Sequence, residues 1–244
     1  MSEYVRLAVG LVVLLAIAVT VSYFAGLNRH RDVLIASVRA VVQLAIVAAA
    51  LRGVFAAPLA SIAVVAVMFS VATWTASRRL RGAEGALTAV VLSCGAGAAV
   101  VIAIIVGLPT LDRNVRNFVA VSGIVLGGTM TAATLAGRHL NEGLRRRRDE
   151  VEAWLSLGAT SRQAVRDVAR SAASESLVPA LDQTRTVGLV TLPGAFIGAL
   201  LGGASATGAA RFQIVVLVGL LAAETITVAL LTYLLGAPRT LPEL

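Results

Sequence analysis

Residues 86–107 read ALTAVVLSCGAGAAVVIAIIVG, a run without one charged side chain. About 20 apolar residues wound as a helix cross the hydrocarbon core of a bilayer. A soluble helix of that length keeps a polar face, and this run has none. It reads as a membrane span, and comparable apolar runs lie at 4–26, 33–52, 56–76, 118–137, 186–203 and 211–236. The expected fold is all-α: a polytopic integral membrane helical bundle of about seven transmembrane helices. Residues 138–185, between the fifth and sixth spans, form a helical cytoplasmic arm, and residues 1–244 make a single transmembrane domain.

Composition supports the same class. Of 244 residues, 58% are hydrophobic and 14% charged, with a mean hydropathy of +0.88. A soluble domain needs more polar surface than that. All 21 basic residues are arginine and the net charge is +8. Nucleic-acid binding would gather those arginines on one solvated face among stacking aromatics. Aromatics are only 5%, and the arginines fall between the apolar runs, so the expected partner is a lipid bilayer and not nucleic acid.

Loop charge sets the orientation. Loops 27–32, 77–85, 138–185 and 237–244 hold fifteen arginines, while the opposite side holds five: Arg6, Arg52, Arg113, Arg116 and Arg211. Basic loops stay cytoplasmic, which places the N-terminus outside and the C-terminus inside a bacterial plasma membrane. The first run, Val5 to Ala25, is too long for a cleavable signal, and its positive charges follow it. Cys94 lies in an apolar stretch with no second cysteine, and reads as an inert buried thiol. His30 and His139 lie beside arginines in expected loops, with no partner at metal-ligand spacing.

The arm has its own pattern. Leu140, Leu144, Val151 and Leu155 mark an apolar line on a helix continuing the fifth span. Gly158 breaks it, and Thr160-Ser161-Arg162-Gln163 has capping-box spacing. The helix beginning there carries Val165, Val168, Ala169, Ala172 and Ser176 on one face and Arg162, Arg166 and Arg170 on another. Such a helix suits the inner leaflet, or equally a groove on a soluble partner.

Glu152-Ala153-Trp154-Leu155-Ser156-Leu157-Gly158 fits the pattern Glu-Ala-x-x-x-x-Gly and resembles the coupling loop of ABC-transporter permeases. The elements Leu157-Gly158-Ala159-Thr160, Thr186-Val187-Gly188-Leu189-Val190-Thr191-Leu192-Pro193-Gly194 and Phe212-Gln213-Ile214 extend the likeness. So do Arg39-Ala40-Val41-Val42-Gln43-Leu44 and Met130-Thr131-Ala132. Together they are similar to the iron-export ABC permeases, related to the plant aluminium-sensitivity permeases, over essentially the whole chain. The resemblance implies a permease subunit, not an enzyme, that exports a metal ion such as iron. It implies coupling to an ABC ATP-binding subunit through Glu152, Ala153, Gly158, Ala159 and Thr160. Plant relatives add sugar nucleotides as an alternative cargo. The chain departs from the pattern at Gly128, where the family carries Asn, and at Ala206-Thr207 in place of Ser-Pro. Glu224 is not part of the pattern.

With no lysine, the chain has no Gly-x-x-x-x-Gly-Lys-Ser/Thr phosphate loop. It binds no cofactor of its own, and ATP belongs to the partner subunit. Seven spans enclose only a small pathway, so a homodimer of this chain with two ATPases is expected. Charges at membrane depth cost roughly 2.5–3.5 kcal/mol on insertion scales and require a reason. Arg39 and Glu224 are the two that qualify. With Gln43, Thr129, Met130 and Gln213 they form the expected pathway set; thioether and hydroxyl ligands together name no metal. An Arg39–Glu224 pair would have to bridge about 9 Å of depth. Gly194, Gly198 and Gly202 repeat every four residues, and with Gly188 and Pro193 they mark a close-packing face or a hinge in the sixth span. The second reading is a stand-alone channel or ion-coupled carrier with Glu224 as its cation or proton site. A membrane-embedded enzyme finds no paired carboxylates or nucleophile–base spacing in the spans.

Overall fold

The computed structural model describes residues 3–54, 58–80, 82–108, 110–238 and 240. Arg81, Arg239, residues 56 and 57 of the expected third span, and the side chain of Arg52 lie outside the described residues. The described chain is helical: α1 (Glu3–Phe24), α2 (His30–Val54), α3 (Pro58–Arg79), α4 (Ala86–Gly107), α5 (Val115–Arg146), α6 (Arg148–Ser156), α7 (Ser161–Thr186), α8 (Gly194–Leu201) and α9 (Ala206–Leu235). Among them α1 to α5 and α9 are long and apolar enough to cross a membrane. The fold is thus the polytopic helical membrane architecture that the apolar runs indicate.

The chain divides into two compact units, Met1–Pro58 and Leu59–Leu244. The first is the α1–α2 hairpin. Its turn closes where Leu27 N–H donates to the Ser22 carbonyl, with Gly26 at φ 64°. Arg29 and Asp32 pair at 2.9 Å just beyond it.

In the second unit, α4, α5 and α9 make the core. Ala98, Val101 and Ile105 pack with Val121, Val125, Val216 and Ala223. Further along, Val90 and Cys94 pack with Ala132, Ala136, Val228 and Leu231. Residue numbers rise together on α5 and α9 through these layers and fall on α4. So α5 and α9 run parallel, and α4 runs against them. Glycine permits the closest approach: a methyl on Gly97 would stand 2.5 Å from the Ala223 carbonyl oxygen and against the Thr227 hydroxyl. Thr227 itself donates to the Ser93 carbonyl at 3.3 Å.

Parallel α5 and α9 oblige the chain between them to return from one end of the unit to the other. The expected sixth span at 186–203 does not do this as one helix. Thr186 ends α7, a turn with Gly188 at φ 80° follows, and α8 is only eight residues. At 1.5 Å per residue α8 is about 12 Å long, far short of the hydrocarbon thickness. Pro193 stands at the N-cap of α8, so it begins a helix and does not kink one. Gly203 and Ala204 end α8 by donating to the Leu200 and Ala199 carbonyls, each at 3.0 Å. The return is therefore shared between α7, the 187–193 turn and α8. Among the described residues, no other element of this chain packs within 4 Å of a methyl built on Gly194 or Gly198.

A small substitution separates the two kinds of glycine. Gly97→Ala forces α4 off α9 and lowers stability by about 1–3 kcal/mol, read as a drop in detergent-solubilised melting temperature. Gly198→Ala, in a helix interior with open space around it, leaves that temperature unchanged or slightly raised.

Candidate functional site

At 32 residues, α5 is about 48 Å long and outruns the hydrocarbon core. Its last turns carry the arm. The ladder kinks at Arg147, yet Arg147 N–H still donates to Gly143 and Val151 N–H to Arg147, so α6 continues nearly unbroken. Two ion pairs brace the kink: Arg147 forks onto Glu150 at 2.6 and 2.7 Å, and Arg148 meets Glu152 at 2.7 Å. The Arg147 guanidinium holds the Glu150 carboxyl below the usual carboxylate range.

After α6 the chain turns in an elbow built entirely from local chemistry. Gly158 N–H donates to the Leu155 carbonyl and Ala159 N–H to the Trp154 carbonyl, at 3.0 and 3.1 Å. This doubled closure needs a residue in the left-handed region, and Gly158 supplies it at φ 90°. Two residues later Thr160 opens α7 with the expected capping box: its N–H donates to Gln163 Oε1 at 2.9 Å, and Gln163 N–H donates to Thr160 Oγ1 at 3.4 Å. A stop and a start so close leave the elbow little freedom. It holds Trp154 half exposed and Leu157 80% exposed. Glu152, Ala153 and Ala159 complete it.

Two expectations for the arm change. Leu155 does not continue the buried line of Leu140, Leu144 and Val151; it is exposed beside Trp154. The apolar face of α7 is not free for lipid or a partner's groove. Val165, Val168 and Ala172 are buried in the same cluster as Leu140, Leu144, Leu231 and Leu235. Gly143 gives Val168 its room, since a methyl there would stand 2.7 Å from the Val168 side chain. His139 lies within α5 and not in a loop, 3.8 Å from Glu175 and 3.4 Å from the Ser176 hydroxyl. The elbow is tied to α9 as well: the Arg162 guanidinium lies 3.8 Å above the Tyr233 ring.

The expected pathway residues fall in different surroundings. Arg39 and Gln43 are one turn apart on the exposed face of α2, in the first unit. Thr129 is fully buried, its hydroxyl donating to the Leu126 carbonyl at 3.1 Å, and its own carbonyl receives the Cys94 thiol at 3.5 Å. Met130 packs beside that cluster. Glu224, on α9, is 8% exposed and seats its carboxylate on α5: a methyl on Gly128 would stand 2.6 Å from Glu224 Oε1. Gln213 lies on the same buried stripe of α9, with its side-chain oxygen unpaired. Ser122 Oγ, on α5, is unpaired too; no periodicity in the sequence singles it out from other span hydroxyls. Among the described residues no cluster of three or more His, Cys, Asp or Glu side chains is poised to hold a metal ion.

Membrane-length apolar helices and an arginine-rich helical arm with an exposed apolar elbow define a multi-pass membrane protein. The chain belongs to the uncharacterised protein family UPF0014, whose model matches residues 5–238. It is 35% identical to the UPF0014 membrane protein STAR2 of Oryza sativa subsp. japonica, over 90% of this chain and 78% of that protein. It is 33% identical to the protein ALUMINUM SENSITIVE 3 of Arabidopsis thaliana, over 94% and 85%. It is 28% identical to the probable iron export permease protein FetB of Escherichia coli K12, over 96% and 90%. No solved structure matches.

The elbow's rigidity is measurable. Gly158→Ala strains the left-handed position and costs about 1–2 kcal/mol, and Thr160→Ala removes a cap worth about 1 kcal/mol. Both show as faster amide exchange confined to residues 157–164. The Arg147–Glu150 fork has a pH sign. A depressed carboxyl pKa stabilises above the ordinary carboxylate range and loses that contribution as pH falls through and below it. Acidification therefore speeds exchange at the Arg147 kink, and Arg147→Ala removes that response.

Proposed function

We propose that this chain is the membrane-spanning permease subunit of an ATP-binding-cassette exporter, moving a metal ion such as iron, driven by a separate ATPase subunit. The observation that carries the reading is the elbow at 154–160. Its apolar residues project from a backbone locked on both sides, as a part that receives force must be. The arm behind it, α6 with the first half of α7, is packed into the core that contains the end of α9. A push on the elbow thus reaches the helix that bears Glu224 and Gln213 without crossing a flexible joint. Glu152, Ala153, Gly158, Ala159 and Thr160 form the docking element, and ATP is bound by the partner.

The cargo reading is supported by the name of the Escherichia coli relative, a probable iron export permease. Two copies of this chain with two ATPases make the working assembly in a bacterial plasma membrane. The N-terminus is outside and the C-terminus cytoplasmic, in keeping with the arginine-rich arm. The 187–193 turn and α8, with Leu189, Val190 and Leu201 exposed, supply a hinge or packing surface for that assembly through Gly188, Pro193, Gly194, Gly198 and Gly202.

Affinity purification of the tagged chain tests the docking. An ATP-binding-cassette ATPase co-purifies with the native chain. Leu157→Asp and Trp154→Asp, which place charge on an exposed apolar surface, abolish its recovery while the permease itself stays folded. An ATPase retained at native levels by both variants contradicts the docking site.

A further inference from the structure

The basic residues of the arm fall into two groups. Arg146, Arg147, Arg148 and Arg185 are paired, with Glu142, Glu150, Glu152 and Asp182. Arg162, Arg166 and Arg170 are exposed on α7, and among the described residues no carboxylate pairs with any of them. They recur every four residues, so they stand one above another, about 6 Å apart. Like charges at that spacing weaken a helix. Asp167 adjoins Arg166 in sequence, but residues i and i+1 do not face each other on a helix. The stripe therefore presents three cations that this chain leaves uncompensated.

Aromatic rings mark where the stripe lies. Tyr233, two residues before the end of α9 and 59% exposed, carries the Arg162 guanidinium 3.8 Å above its ring. Exposed tyrosine and tryptophan near the ends of membrane helices mark the headgroup level. The end of α3 is built the same way: Trp74 is exposed, and Arg78 lies 5.4 Å over its ring. Leu80, just past α3, joins the cluster that contains Leu235, so both pairs belong to the arm-side end of the bundle. The face of α7 that carries the arginines then changes character. At the helical period it continues through Ala173, Leu177 and Leu181, each partly buried. Along one face the order is charge for about 12 Å, then apolar surface. A phospholipid has that order from its phosphate to its chains, and the acidic surface of a soluble protein does not.

We propose that this face of α7, with Tyr233, is a binding site for an anionic phospholipid of the arm-side leaflet. The guanidiniums of Arg166 and Arg170 take the phosphate oxygens, for which their planar fork is suited. Tyr233 holds Arg162 at the edge of the headgroup, and an acyl chain runs over Leu177 and Leu181. This is one defined lipid, distinct from the bulk bilayer around any span. Because α7 begins at the elbow, the bound lipid also steadies the arm that carries the elbow. The site stands without the exporter reading; only the name of the leaflet depends on the orientation given above.

Lipid selectivity of the purified full-length chain in detergent tests this, with bound lipid counted by native mass spectrometry. The probes are dioleoylphosphatidylglycerol, which is anionic, and dioleoylphosphatidylcholine, which is zwitterionic with the same chains. The native chain prefers the anionic lipid at least about tenfold. Arg166→Gln combined with Arg170→Gln loses that preference, and since both side chains are exposed the melting temperature in lipid-free detergent is unchanged. Arg146→Gln, whose guanidinium is already paired, keeps the preference. Glycerol phosphate without chains, at the same concentration, does not displace the lipid; displacement would reduce the site to one for free phosphate and contradict the lipid. Equal binding of the two lipids by the native chain, or a preference that survives the double variant, overturns the proposal. So does a double variant that keeps the lipid preference but loses the co-purifying ATPase, which makes the stripe a protein contact. A native chain that selects the anionic lipid but recovers no ATPase keeps the lipid site and loses the exporter.

Discussion

Everything in the second unit depends on how closely α9 can approach α4 and α5, and two glycines decide that distance. At Gly97 the backbone of α4 comes against the Ala223 carbonyl and the Thr227 hydroxyl; at Gly128 the backbone of α5 comes against Leu220 and Glu224. Lipid tails are as apolar as leucine, so a membrane bundle gains little by hiding hydrophobic surface. It gains by close packing and by hydrogen bonds such as Thr227 to the Ser93 carbonyl. The same closeness that binds the helices traps a carboxylate between them.

From that core the arm follows. The ends of α5 and α9, with α6 and the first half of α7, share one cluster of buried side chains. Val165 and Val168 give α7 its grip, Gly143 gives it room, and Arg162 stacks on Tyr233 for about 0.5–1 kcal/mol more. The elbow between α6 and α7 is thereby held at the tip of a solid lever. Its exposed residues, Trp154 and Leu157, are the part of the arm that its own core does not use.

Much of this was legible in the residues. The 86–107 run matched α4 end to end because nothing in it interrupts the apolar sequence and left-handed Gly85 precedes it. Thr160 and Gln163 announced their cap because capping is local. The 186–203 segment misled for the opposite reason. Its composition is that of a span, but Gly188, Pro193 and Gly203 place turn, helix start and helix end inside it, and hydropathy averages over all three. Leu155 follows the helical period of Leu144 and Val151, yet the elbow begins there and turns it outward. The fit of Glu224 to Gly128 and the orphan hydroxyl of Ser122 were invisible, since no period relates residues on separate helices.

Under the proposed function, the energy that moves these helices arrives at the elbow from another chain. Radioactive iron uptake by inverted membrane vesicles from cells producing this chain with its co-purifying ATPase measures that directly. The account predicts uptake only when ATP is supplied, and none when Leu157 is replaced by Asp. Iron entering at the same rate without ATP, through this chain alone in liposomes, would contradict it and make the chain a channel or carrier in its own right.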